Sequence, residues 1–249
     1  AASNPITFKN DLEQFNEMVN LSKAIAKQTE GAFDPSAGRL FAYYNQCKNE
    51  KVFMDADTVS SLLETVGMDK ITSDGGVPKK LNPSLTLNFN AIAKGYLVDV
   101  IADFIAARGT ENYLVEVGGE MRVSGVNAEN ELWKVGINIP KVGANPNSFF
   151  KVLDLENTAV ATSGNYQNFY VVDSVLIGHT LNPSTGEAIT TNLKSATILH
   201  VECAVADAMA TACMVMGLEE AKKLIEEEQD LSAYFIYEED NELKGIYVE

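Results

Sequence analysis

The residues that usually announce a metal or redox centre are scarce here. Among 249 residues there are three cysteines, Cys47, Cys203 and Cys213, and two histidines, His179 and His200. The cysteines are scattered and form no CxxC, which spells neither a zinc site nor a disulfide framework; small core thiols are expected instead. Neither GxxxxGK(S/T) nor GxGxxG occurs, so the ordinary nucleotide folds are disfavoured. No apolar run approaches the length of a membrane span. Positive charge is short: 19 Lys and Arg stand against 35 Asp and Glu, a net charge of −16. That argues against nucleic acid or an anionic membrane surface as a generic partner. An anionic ligand would have to be met by locally placed cations, backbone amides or a metal.

What remains is ordinary for a globular protein, with 46% hydrophobic and 22% charged residues and enough length for a sizeable core. There is no linker, low-complexity tract or repeat, and the chain opens Ala1-Ala2-Ser3-Asn4-Pro5, as a trimmed product also would. Residues 11–30 have the spacing of an amphipathic helix ended by Gly31. A rigid small-residue loop follows over 31–38, either a Pro-fixed turn or a ligand-facing loop. Asp57 is expected to cap a short helix through Val66, and 73–80 to be a turn-rich loop. Residues 87–89 look like a strand feeding a helix that runs from Asn90 toward Gly109. A helix start of this kind leaves amides aimed at the loop, an anion site to which Lys94 would add a point charge. Strands are expected over 112–117 and 120–124, joined by Gly118-Gly119 as a bulge, a close approach or a tight turn. Trp133, Val135, Ile137 and Ile139 alternate like a half-buried strand. Further short strands are expected over 151–155, 159–162, 169–172, 175–179 and 196–201, with a hairpin turn at Asp173-Ser174. Helices then follow over 204–216 and 219–229, and a closing hairpin over 232–248. Helices and antiparallel strands mix without βαβ alternation, which indicates an α+β fold of mixed, largely antiparallel sheets packed with helices.

Three places could carry chemistry. Asp207 and Thr211 lie four apart on an alanine-rich helix and share one face. A carboxylate and a hydroxyl so placed suit a hard cation that keeps waters, although the helix dipole alone would also favour an early Asp. His179 precedes a turn of side-chain oxygens, Leu181-Asn182-Pro183-Ser184-Thr185-Gly186, where it could serve as a base or simply pack. The third is the Ser/Thr/Gly loop over 161–166, able to hold phosphate or ribose.

Taken in order, six motifs resemble the ApbE family of FAD:protein FMN transferases: Gly31-Ala32-Phe33-Asp34-Pro35; Ala91-Ile92-Ala93-Lys94-Gly95-Tyr96 with Asp99; Val117-Gly118-Gly119-Glu120; Ala161-Thr162-Ser163-Gly164-Asn165-Tyr166; His179 through Gly186; and Ala206 through Ala212. The resemblance spans nearly the whole chain. It implies an ApbE-like, T-fold-like architecture in a single domain over 1–249, without the segment that family members usually carry before the first helix. It implies FAD as substrate, contacted by Ala32, Phe33, Asp34, Asn88, Lys94 and Leu181. It also implies Mg2+, held by the side chains of Asp207 and Thr211 and the carbonyls of Ala91 and Ala210. The reaction implied is transfer of FMN to a Ser or Thr hydroxyl of a partner redox protein, releasing AMP, with His179 assisting proton removal. Family context places the protein outside the cytoplasm, in the periplasm or anchored to a membrane through an N-terminal lipid. FAD hydrolysis to FMN and AMP, and flavin storage, are the alternatives. Asn88 and Asn182 stand where the family often has Asp, and Asn carries no charge.

Overall fold

The computed structural model describes residues 10–145, 147–165, 169–173, 175–178 and 180–249. Its centre is a six-stranded antiparallel sheet in the order β12-β11-β10-β7-β4-β3. The strands are β3 (Tyr113–Val117), β4 (Glu120–Ser124), β7 (Thr158–Gly164), β10 (Leu193–His200), β11 (Ser232–Glu239) and β12 (Glu242–Val248). Hairpins β1–β2 (Ile71–Asp74, Val77–Lys80), β5–β6 (Trp133–Asn138, Phe149–Leu155) and β8–β9 (Phe169–Val172, Val175–Gly178) stand apart from it. With six α-helices among the described residues, this is the mixed α+β architecture expected.

One face of the sheet is covered by α5 (Cys203–Met216), which packs on β10 and β7, with α6 (Leu218–Glu227) beside it. Ten of its fourteen residues are buried, five of them alanines. Small side chains let the helix lie close to the strands, and Ile198, Ala196, Met209, Phe235 and Ile225 fill the layer between. Helix α4 (Ala93–Ala106) lies across α5 and over β3 and β4. Helix α1 (Asp11–Gln28) buries Val19, Ser22, Ile25 and Ala26, and its Asn10 cap and Glu13 form a reciprocal pair.

Several elements differ from the sequence reading. A helix, α2 (Gly38–Glu50), stands where none was expected. The 73–80 segment belongs to a hairpin, not a loop. The cap of α3 (Ala56–Leu63) is Asp55, whose carboxylate accepts from the Thr58 amide; Asp57 sits in the first turn. Residues 87–89 are not a strand: the chain makes one parallel bridge at Thr86 with Ala37, runs irregularly, then turns into α4. Gly118-Gly119 is the tight turn of the β3–β4 hairpin, both residues at positive φ (64° and 103°), which glycine alone adopts freely. Ser174 and Tyr166 lie outside the described residues.

Candidate functional site

Between α2, the start of α4, the end of β7 and α5 lies a cavity of about 640 Å³, within the range of small-molecule and cofactor sites. One wall comes from α4 and α5. Helix α5 presents Asp207 and Thr211 to the cavity; the turn at 89–92 presents Asn90 and Ala91, and α4 presents Lys94. Gly95 makes this junction possible: a Cβ there would lie 2.3 Å from the Cys203 carbonyl oxygen, so only a glycine lets the two helices meet. At that contact the Gly95 amide donates to Asp207 Oδ2 at 3.1 Å. Asp99, one turn further along α4, accepts from the Cys203 and Ala204 amides (2.9 and 2.8 Å) and thus caps α5 from a neighbouring helix. Arg122 of β4 holds the same carboxylate at 3.0 Å.

Several amides at the start of α4 are already engaged within the protein, which narrows the anion site expected from the sequence. The Ile92 and Ala93 amides donate to the Phe89 carbonyl, and that of Gly95 to Asp207. Positive charge at this wall therefore comes from Lys94, which is ion-paired with Glu120 of β4 while its side chain stays about half exposed. Burial pushes the Asp207 carboxyl up to about 6; the Gly95 amide opposes that shift and the Glu120 charge adds to it. Thr211 Oγ1 lies 3.2 Å from Ser163 Oγ. A desolvated carboxylate and a hydroxyl one helical turn apart, facing an open cavity, form a hard-oxygen donor set of the kind magnesium takes, alongside its waters.

The opposite wall comes from the 32–35 loop, α2 and the 180–183 segment. Phe33 is buried, its amide donating to Thr29 Oγ1 at 3.2 Å. Asp34 accepts from the Ser36 amide, and burial raises its pKa against that bond. The loop is tied across to the α4 side: the Asn88 amide donates to the Pro35 carbonyl at 2.8 Å, and Asn88 Oδ1 accepts from the Asn90 amide. Leu181 is fully buried beside Leu40 and Tyr44 of α2.

Thus Ala32, Phe33, Asp34, Asn88, Ala91, Lys94, Leu181, Asp207 and Thr211 all line one cavity. Ala210 is wholly buried within α5, next to the lining rather than part of it. His179 lies outside the described residues. The sequence reading gave no part to Phe41, Tyr44, Asn45 and Lys48, which line the cavity from the unforeseen α2; the spacing of the buried Leu40, Tyr44 and Cys47 is the signal that would have revealed the helix. Glu120 was read only as part of a motif, because its partner Lys94 is distant in sequence.

Fold and cavity together define a mixed α+β protein with one polar-walled cavity of cofactor size. The ApbE family model matches residues 2–235, and the chain belongs to the ApbE family. It is 34% identical to the FAD:protein FMN transferase of Vibrio cholerae over 81% of this chain and 60% of that protein. To the FAD:protein FMN transferase of Escherichia coli K12 it is 29% identical over 93% of this chain and 67% of that one. The chain thus spans less than two thirds of the length of the first of these relatives. Among solved structures, the flavin transferase ApbE of Vibrio cholerae superposes with a TM-score of 0.82 at 30% identity, covering 100% of this chain and 78% of that one. The apo flavinyl transferase ApbE of Pseudomonas stutzeri gives 0.82 at 28%, covering 99% and 82%.

Proposed function

We propose that this protein transfers the FMN moiety of FAD to a Ser or Thr hydroxyl of a partner protein, releasing AMP, with Mg2+ as cofactor. The observation that carries the reading is the junction of α4 and α5. It sets an ammonium, a buried carboxylate and a hydroxyl around one end of a cavity long enough to run on past Asn88 and Phe33 to α2. Relatives named for this activity support the same reading.

The donor set fits the ion: Asp207 and Thr211 would hold it by side chain, with the carbonyls of Ala91 and Ala210. Bound there, Mg2+ would supply charge neutralisation at the pyrophosphate and at the departing AMP. The protein's own groups do the rest. Lys94 lends a positive charge beside the phosphates, kept in place by Glu120. Gly95 holds the Asp207 carboxylate in its orientation. The 32–34 loop, Asn88 and Leu181 position the ligand. His179 is the group proposed to take the acceptor hydroxyl's proton. A subunit of a membrane redox complex as acceptor, an extracytoplasmic location and an N-terminal lipid anchor are proposed on family resemblance alone.

The test is incubation with FAD, Mg2+ and a peptide bearing the acceptor hydroxyl. AMP together with flavin mass on the peptide supports transfer. AMP with free FMN would replace that reading by hydrolysis, and yellow protein without AMP by storage. His179→Ala is expected to slow transfer by about 100-fold or more while FAD binding persists; loss of FAD binding instead would contradict its role as base.

A further inference from the structure

Glu120 opens β4 immediately after the Gly118–Gly119 turn, and its side chain is 4% exposed. Oε1 accepts from the Lys94 ammonium. Oε2 is buried with no hydrogen-bond partner among the described residues. A buried polar atom left without a partner is costly, the more so when charged, and native folds rarely keep one unless something meets it. Its position shows what could do so. Glu120 lines the cavity beside Asp207, whose carboxyl feels its charge. Two carboxylates there face one ammonium, leaving the cluster one negative charge in excess.

We infer that Glu120 is a positioning residue for a divalent cation at Asp207 and Thr211, supporting it from the outer shell: Oε2 accepts a hydrogen bond from the ion's hydration while Oε1 keeps Lys94 turned toward the phosphates. The inference rests on the metal reading above. Its physical basis is that magnesium gives up water reluctantly, so its outer partners act through water, and such partners are typically worth 10–100-fold in metal affinity. The same carboxylate couples cation and ammonium, so the two positive charges are held by one group and not left to repel freely.

The experiment measures Mg2+ binding to the FAD-free protein by calorimetry and by thermal shift, without any turnover. Asp207→Asn is expected to abolish binding. Glu120→Gln is expected to weaken it about 10- to 100-fold. Lys94→Met, which strips Glu120 of its ammonium partner and is first checked for folding by circular dichroism, is expected to tighten it several-fold, and that gain should vanish in the Glu120→Gln background. Retained binding in Asp207→Asn would overturn the metal reading. Lost binding in Asp207→Asn with unchanged affinity in Glu120→Gln would overturn this inference alone. Binding abolished by Glu120→Gln as fully as by Asp207→Asn would make Glu120 a direct ligand and overturn the outer-shell assignment. Should Glu120→Gln fail to fold, unchanged or weaker binding in Lys94→Met would overturn the inference by itself.

Discussion

The wall made by α4 and α5 and the wall made by α2 with the 180–183 segment face each other across one cavity, yet different forces hold them. The first is fixed by polar contacts at a helix crossing with no spare room: Gly95 against the Cys203 carbonyl, Asp99 on the α5 amides, Asp207 on the Gly95 amide. The second is an apolar cluster of Leu40, Leu62, Tyr44, Tyr170 and Leu181, with the two tyrosine rings edge to face at 5.5 Å. Directional contacts place atoms to within tenths of an ångström, which suits groups that, on the proposed reading, meet a cation and phosphates. An apolar cluster sets shape and tolerates repacking, which suits holding the remainder of a ligand.

The sharpest way to break this contrast is Gly95→Val, which drives a branched side chain into backbone. It is expected to cost about 3 kcal/mol or more and to lower the melting temperature by several degrees, with site function lost alongside. Asp99→Ala removes the cap of α5 and leaves Arg122 paired only with Asp103; a loss of about 2 kcal/mol in denaturant unfolding is expected. A smaller effect concerns pH. The carboxyl of Asp207 titrates near 6 in the folded chain against an ordinary 3.8, so between those values the folded state binds more protons than the unfolded one. Its contribution to stability therefore falls as pH rises through that window. On the proposed metal reading Mg2+ would compete with that proton, so a Mg2+-induced rise in melting temperature should be present at pH 7 and fade below about pH 6. The smallest effect is expected on the apolar wall. Tyr44 carries a buried hydroxyl with no partner among the described residues, and burial pushes its pKa up to about 12. Tyr44→Phe should leave stability within about 1 kcal/mol of wild type, or raise it, by thermal unfolding.

The wall built on directional contacts was largely legible in the sequence. Asp207 and Thr211 share a helix face by spacing alone, and α5 is marked by its alanine run and by Gly217. Strand β5 was visible as alternation, and strands were expected close to where β7, β10 and the β11–β12 hairpin lie. The α2 wall was not. Residues 38–50 carry two tyrosines and one phenylalanine among polar residues and only three buried side chains, Leu40, Tyr44 and Cys47, so the helical stripe is narrow and easily taken for loop. Residues 87–89 mimic a strand because Leu87 and Phe89 alternate with Asn88, but they pack against α1 and the 68–71 turn while the backbone stays irregular. Nothing local marks Glu120 and Lys94 as a pair, 26 residues apart, or Asp99 as the cap of a helix that begins 104 residues later.

That last separation has a consequence for how the protein comes into being. The bond from Gly95 to Asp207 spans 112 residues, so the α4–α5 wall exists only once the final third of the chain has been made and has closed over the middle. On the proposed reading, ligand capture would then be a signature of completed assembly. A protease cut anywhere between the two helices that separated the pieces would undo that wall in a single event.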